Sequence, residues 1–193
     1  MAPATSLIVG VLALQGGFQE HVHLLRKASA QLSTAGSGTF PAVEVIEVRT
    51  ADQLSRCDAL VIPGGESTTI SLIATQTGLM APLKDFVKVA RKPGGQELIG
   101  GLAVRVRRNH FGRQIESFIS DLDLPFLAAD GPAAAPQAPP NGGPGEDHGG
   151  HAGDIIAVRQ GNILGMSFHP ELTPDERIHA WWLKQVVEAA EKR

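Results

Sequence analysis

The sequence predicts an α/β protein with a doubly wound, mostly parallel sheet that carries helices on both faces. Three observations support this class. Short apolar runs alternate three times with segments of helical periodicity. Two of these runs end at glycine pairs, as strand-to-helix turns in such sheets often do. The first run is almost entirely apolar, which is typical of a strand buried on both faces.

The first α/β unit begins with a strand predicted over Leu7–Leu14, which ends at a Gln-Gly-Gly turn. Phe18–Ala30 has apolar residues at helical spacing and therefore predicts a helix. Ser33–Thr39 is polar and rich in glycine, which favours a loop. A second strand is predicted over Val43–Val48.

A third strand is predicted over Ala59–Ile62, where Pro63-Gly64-Gly65 ends it. The next four residues, Glu66–Thr69, open a helix, with Ser67 as a possible cap. A further amphipathic helix is expected over Leu79–Ala90, because a Pro-Gly-Gly sequence follows it.

The second half of the chain has a different composition. Strands are predicted over Leu102–Val106 and Ser117–Leu122. Residues 128–153 consist mainly of alanine, glycine and proline and are expected to be disordered, since they offer little apolar surface to bury. The length favours one domain over residues 1–193, interrupted by this low-complexity insert.

The C-terminal part returns to regular patterns. Ile155–Val158 and Ile163–Phe168 flank a Gly-Asn turn and predict a β-hairpin. The last helix is expected to start at Thr173 as N-cap, with Pro174 in its first position and Glu176 completing a capping box.

Composition excludes several classes of protein. The net charge of −3 does not favour a general nucleic-acid or membrane-binding surface. Without a basic leader or an apolar run of ~20 residues, the cytoplasm is the expected location. A single cysteine, Cys57, excludes an intrachain disulfide framework and a multi-cysteine zinc site.

Two short segments are candidates for chemistry. The Pro63–Thr68 turn follows a strand and precedes a helix, where backbone N–H groups can meet a carboxylate or phosphate; the alternative is a simple tight turn. His169 also follows an apolar strand, and Glu171 could fix its tautomer so that it acts as a base. The alternative for this pair is a structural role.

Two other groups of residues are weaker candidates. The basic segment Arg107–Gln114 could hold a carboxylate substrate or form a solvated face. His148 and His151 lie in the low-complexity segment without the spacing of a closed metal site. We expect no metal ion and no cofactor.

Taken together, these motifs resemble one family. GVLALQGGFQEH (residues 10–21), PGGESTT, RNHFGRQ with ESF (residues 108–118), AVRQGN and SFHPEL occur in that order. They are similar to the glutaminase subunits of pyridoxal 5′-phosphate synthase, within the class I glutamine amidotransferase-like fold. The likeness covers most of the chain outside residues 128–153.

The resemblance implies hydrolysis of L-glutamine to glutamate and ammonia, and delivery of the ammonia to a synthase partner subunit. The family uses a Cys-His-Glu triad. By motif match, His169 is the base and Glu171 its orienting partner. The resemblance assigns Gly65, Glu66, Ser67 and Arg108 to glutamine binding.

The chain departs from the family pattern at the nucleophile. The family carries its cysteine on a G-T-C-A-G elbow between a strand and a helix, but here Lys92-Pro93 continues directly into Gly94-Gly95. About 20 residues are missing, the size of a strand, a tight turn and a short helix. We therefore expect the central strand and elbow helix to be deleted, through a skipped exon, a misplaced splice boundary or an engineered deletion.

Two consequences follow for the activity. Cys57 precedes a strand instead of following one, so it is not expected to replace the elbow cysteine. The segment 128–153 also lacks the family's strand with a glutamine contact. The sequence predicts a chain that does not hydrolyse glutamine as written, or alternatively a non-catalytic binding subunit of the same synthase.

Overall fold

The computed structural model describes residues 6–35, 40–87 and 156–192, together with residues 102, 104, 124 and 127. The chain divides into two compact units. One contains residues 1–101 and 168–193, and the other contains residues 102–167. The first unit carries the parallel sheet and the residues of the candidate site.

Among the described residues, the sheet of the first unit has three parallel strands in the order β2-β1-β3. They are β1 (Leu7–Leu12), β2 (Val43–Val48) and β3 (Ala59–Val61). Strand β1 lies between the other two. It pairs with β2 along its whole length and with β3 over three residues. Parallel strands joined by helical crossovers confirm the predicted class.

Both faces of this sheet are covered by helices, because alternate side chains of β1 point in opposite directions. Val9 and Val11 pack with α1 (Phe18–Ala35) and α5 (Arg177–Glu191). On the other face, Leu12 packs with α2 (Ala51–Ser55), α3 (Ser67–Gln76) and α4 (Met80–Val87). The doubly wound arrangement is therefore confirmed.

Helix α1 is longer than the sequence predicts, since it includes residues 33–35 of the expected loop. Two hydroxyl groups explain the extension. Ser33 Oγ donates to the carbonyl of Ser29 at 2.9 Å, and Thr34 Oγ1 donates to that of Ala30 at 3.2 Å. These polar side chains thus bond to the preceding helical turn instead of starting a loop.

The short helix α2 was not predicted, although its start has a recognisable signal. Thr50 and Gln53 form a capping box, with each side chain bonded to the backbone of the other residue. Five residues are too few to produce a helical periodicity in the sequence. The cap is therefore the only local signal of this element.

The second unit contains the predicted hairpin, formed by β4 (Ala157–Gln160) and β5 (Ile163–Met166). The two strands pair antiparallel from Gln160↔Ile163 to Ala157↔Met166. Gly161 adopts a φ of 59°, a left-handed conformation that glycine accommodates without strain in a two-residue turn.

The predicted start of the last helix is wrong by several residues. Pro170–Leu172 forms a 3-10 turn that Thr173 ends, and α5 begins only after Glu176. The Glu176 carboxylate accepts a hydrogen bond from Lys27 Nζ at 2.7 Å and another from Gln31, both on α1. Because its side chain is held by α1, it does not close a capping box on Thr173.

Several predictions concern residues outside the described ranges. They include the strands 102–106 and 117–122 apart from single residues, the basic loop 107–114, the low-complexity segment 128–153 and the Pro93–Gly94 junction. The deletion of the central strand and elbow helix, and the single-domain organisation, therefore stay predictions. None of the helices in the described ranges has the length and apolarity that crossing a membrane requires.

Packing of α5 against the sheet gives a direct test of this core. Leu183 is fully buried, so Leu183→Ala should lower the free energy of unfolding by about 2–5 kcal/mol. Leu72 on α3 is 56% exposed, and Leu72→Ala should change it by less than about 0.5 kcal/mol. Urea unfolding of both variants measures the difference, and equal losses would contradict the packing described here.

Candidate active site

Two glycine-containing turns lie at the carboxyl ends of neighbouring strands. Gln15-Gly16-Gly17 connects β1 to α1, and Pro63-Gly64-Gly65 connects β3 to α3. Because β1 and β3 pair in parallel, both turns lie at the same edge of the sheet. Ligands of open α/β sheets bind at this edge.

The structure brings His169 and Glu171 together at this edge. His169 Nδ1 and Glu171 Oε1 are 2.8 Å apart, a hydrogen-bond distance. The His169 side chain is 53% exposed, whereas that of Glu171 is only 2% exposed. A buried carboxylate thus orients an imidazole whose other nitrogen is available to a reacting molecule.

Glycines provide the space that this pair occupies. A Cβ atom at Gly64 would lie 2.6 Å from His169 Cε1, and one at Gly17 would lie 2.9 Å from Glu171 Cγ. Both distances are shorter than van der Waals contact, so a side chain at either position would displace the pair. The glycines of the two turns are therefore part of the site's geometry.

Gln15 joins the two turns to each other. Its Oε1 accepts a hydrogen bond from the backbone N–H of Glu66 at 2.9 Å and also lies directly against Gly65. Gly16 has a φ of 90°, and a Cβ there would collide with the carbonyl oxygen of Gly64. Only glycine fits at this approach of one turn to the other.

The predicted substrate residues Gly65, Glu66 and Ser67 all lie in the turn before α3. Glu66, and not Ser67, is the N-cap of this helix. Its carboxylate accepts hydrogen bonds from Thr69 N at 2.6 Å and from Thr69 Oγ1 at 2.9 Å. The hydrogen bond from the Thr69 backbone N–H contributes most to lowering the pKa of Glu66.

Two buried histidines extend the site on the side away from solvent. His21 Nε2 lies 3.4 Å from Glu171 Oε2, and His21 Nδ1 lies 2.9 Å from His179 Nε2. Desolvation by burial lowers the pKa of both imidazoles, that of His179 to about 4. Both are therefore neutral near pH 7.

Cys57 lies at the opposite end of β3 from the His169–Glu171 pair. It precedes the strand, packs against the face covered by α2–α4, and its Sγ donates to the carbonyl of Gln53 at 3.3 Å. Burial raises its pKa to about 11. A protonated thiol at the other end of the strand has neither the position nor the ionisation of a nucleophile for His169.

Some predicted residues cannot be placed. Arg108 and the rest of the basic loop lie outside the described residues, as do His148 and His151. In the part of the chain that the structure describes, no group of three or more acidic, histidine or cysteine side chains has the arrangement of a metal site.

Sequence reasoning assigned no role to Gln15, His21 or His179. A signal for Gln15 was present, since a glycine pair follows it as one follows Pro63. The histidines occupy apolar positions of their helices, four residues before the buried Leu25 and Leu183. A histidine in such a position indicates a buried polar contact, but its partner comes from a distant part of the chain.

The two buried histidines predict a loss of stability in acid. An unfolded imidazole takes up a proton as the pH falls below 6.5, whereas folded His179 stays neutral down to about 4. Lowering the pH from 8 to 5 should therefore reduce the free energy of unfolding by about 2 kcal/mol through His179 alone. The titratable groups around His179 act in both directions. His21 lowers the pKa of His179, whereas Glu171, Asp175 and Glu176 raise it.

Urea unfolding at the two pH values measures this effect. His179→Phe removes the titrating group, so its loss of stability in acid should be smaller than that of the unchanged chain. His23→Phe, at an exposed position of α1, is the control and should keep the full pH dependence. Identical pH dependence in the unchanged chain and His179→Phe would contradict the burial of a neutral imidazole.

The raised pKa of Cys57 predicts slow alkylation. With a pKa of about 11, the thiolate fraction at pH 8 falls roughly 100-fold below that of a free cysteine. Iodoacetamide should therefore react with the folded chain roughly 100-fold more slowly than with the chain in urea. Equal rates would show that the folded chain does not suppress ionisation of the thiol, in conflict with the described environment.

Comparisons with known proteins identify named relatives of the chain. The chain is 40% identical to a pyridoxal 5′-phosphate synthase subunit PdxT from Acidothermus cellulolyticus, over 97% of this chain and 98% of that protein. It is 36% identical to a probable pyridoxal 5′-phosphate synthase subunit PDX2 from Arabidopsis thaliana, over 94% of this chain and 87% of that protein.

A solved structure and a family model lead to the same assignment. A crystal structure of a glutamine amidotransferase matches with a TM-score of 0.64 and 32% identity, over 93% of this chain and 98% of that chain. The model of the SNO glutamine amidotransferase family matches residues 11–188. The chain, with its glycine turns and its His–Glu pair at the carboxyl edge of a parallel sheet, belongs to the SNO glutamine amidotransferase family.

Proposed function

We propose that this chain is the glutaminase-type subunit of a pyridoxal 5′-phosphate synthase, and that it binds L-glutamine and a synthase partner subunit. The observation that carries the proposal is the 2.8 Å contact between His169 and a buried Glu171 at the ligand-binding edge of the sheet. The names of its relatives supply the substrate class and the partner.

In such a site the His–Glu pair serves a cysteine nucleophile. Glu171 accepts a hydrogen bond from Nδ1–H of His169, so the lone pair of Nε2 can remove the thiol proton. After the thiolate attacks the carbonyl carbon of the glutamine amide, the same nitrogen gives the proton to the leaving ammonia. Water then cleaves the resulting thioester, which releases glutamate and restores the thiol. Gly65, Glu66, Ser67 and Arg108 are the residues that we propose for holding glutamine.

We further propose that this chain does not hydrolyse glutamine as written, because a cysteine is absent at the elbow. The sequence has one cysteine, and it lies at the other end of β3. The alignment with the Acidothermus relative supports a deletion. It extends over 217 positions, so at least 24 of them have no counterpart among the 193 residues of this chain.

The missing nucleophile favours a second candidate, a non-catalytic subunit that docks on the synthase and modulates it. We propose the cytoplasm as its location, because a single cysteine provides no disulfide framework of the kind found in small secreted domains.

An assay with the purified synthase subunit tests the predicted lack of glutaminase activity and the predicted binding to the synthase. We expect the two subunits to co-purify and glutamine to yield no ammonia above the background of the synthase alone. Ammonia release well above that background would overturn the predicted inactivity. Failure of the two proteins to associate would remove the support for a binding subunit.

Restoring the elbow tests the proposed roles of the His–Glu pair. A strand–elbow–helix segment from a curated relative, inserted between Pro93 and Gly94, should confer glutaminase activity. In that background, His169→Asn should lower kcat by roughly 100-fold or more, as loss of a general base does. His23→Asn is the matched control at an exposed position and should leave kcat unchanged. Equal activity of the two variants would exclude His169 as the base.

A further inference from the structure

The buried side of Glu171 carries contacts that the proposed glutaminase chemistry does not use. His169 occupies Oε1 of this carboxylate, while His21 Nε2 lies 3.4 Å from Oε2. Behind His21, His179 Nε2 lies 2.9 Å from His21 Nδ1. Four side chains thus form a continuous polar row from the exposed imidazole of His169 to the interface of α1 and α5.

This row crosses an interface that is otherwise apolar. His21 and His179 are 6% and 4% exposed, and the same helices bury Val22, Leu25 and Leu183 against the sheet. Among the described residues, His179 Nδ1 has no hydrogen-bond partner. Two apolar side chains would pack these helices without leaving a buried nitrogen unpaired, so packing alone does not account for the histidine pair.

The direction of each contact follows from the carboxylate. An ionised carboxylate only accepts, so the proton of neutral His21 lies on Nε2, facing Glu171. His21 Nδ1 is then an acceptor, and His179 must donate from its Nε2. The remaining nitrogen, His179 Nδ1, is therefore an unpaired acceptor and not an unpaired N–H group. Every N–H in the row points towards Glu171.

The distance between His21 and Glu171 suits an attraction that holds the carboxylate in place, and it is too long for proton transfer. At 3.4 Å it exceeds the usual range of an N–H···O hydrogen bond and acts as a charge–dipole attraction. In a buried environment such an attraction is stronger than in water, and the bond from His179 polarises His21 further. It holds Oε2 on the buried side and leaves Oε1 to His169.

We propose that His21, supported by His179, is a positioning residue that fixes the Glu171 carboxylate, so that His169 keeps its proton on Nδ1 and presents a free Nε2. The inference rests on the proposed role of His169 as the base of a glutaminase-type site. His21 touches neither substrate nor nucleophile in this scheme and acts only through Glu171.

The tautomer of His169 in the full 193-residue chain tests this role without any turnover. Nitrogen-15 NMR of the imidazole rings distinguishes the Nδ1–H from the Nε2–H form, and His169→Gln assigns the signal. In the unchanged chain we expect the Nδ1–H form to predominate. His21→Phe removes the contact to Oε2, so the ratio of Nδ1–H to Nε2–H should fall by roughly threefold, the size of one weak polar contact.

A conservative variant separates positioning from simple packing. In His21→Gln the amide Nε2 can occupy the place of the imidazole Nε2 and donate to Oε2, so the tautomer ratio of His169 should stay near that of the unchanged chain. His23→Phe, on the exposed side of α1, should also leave it unchanged. An unchanged ratio in His21→Phe, or an equal fall in His21→Gln, would overturn the proposal.

A thermal melt first establishes that each variant folds. If His21→Phe shows no cooperative transition, His179→Phe and His179→Gln replace it, because only glutamine keeps a donor to His21 Nδ1. The ratio should then fall in the phenylalanine variant and be maintained in the glutamine variant, and equal ratios in the two would overturn the proposal. Since the measurement uses no glutamine and no synthase, failure of the glutaminase assay and failure of this inference are distinguishable.

Discussion

The candidate site depends on one buried carboxylate. Glu171 is almost completely removed from solvent, and such a group is stable only where donors surround it. His169 approaches one oxygen and His21 the other, while Gly17 provides the space for its side chain. The turn after β1, the entry to α1 and the turn before α5 must all be in place for these contacts to form together.

This constraint explains why two helices distant in sequence pack against each other at the site. Helix α1 contributes His21 to the carboxylate and also binds the segment before α5, since Lys27 contacts both the Pro174 carbonyl and Glu176. The apolar contacts around Leu25 and Leu183 continue the same interface towards the sheet. Polar contacts near the sheet edge and apolar contacts below it therefore position one segment, that of residues 169–183.

Local patterns in the sequence are sufficient for the strands and most of the helices that the structure describes, because apolar periodicity and glycine turns are short-range signals. The same patterns led to the pairing of His169 with Glu171, which are two residues apart. Helix α1 ends later than its local pattern predicts, because the polar side chains of Ser33 and Thr34 bond back to the helix. The start of α5 was wrong because Glu176 is held by Lys27, and no local pattern contains that contact. His21 and His179 were missed for the same reason, since they are 158 residues apart.

The arrangement of the His169–Glu171 pair also bears on how a protein of this kind can lose a function in separate steps. Every described contact of the pair comes from residues 15–65 or 169–179, that is, from the two ends of the chain. A change confined to the intervening sequence can remove a nucleophile and leave the residues that build the imidazole–carboxylate pair untouched. Such a chain keeps the imidazole–carboxylate pair after the nucleophile is lost. Reacquiring the activity would then require changes only in the intervening sequence, without reconstruction of the base.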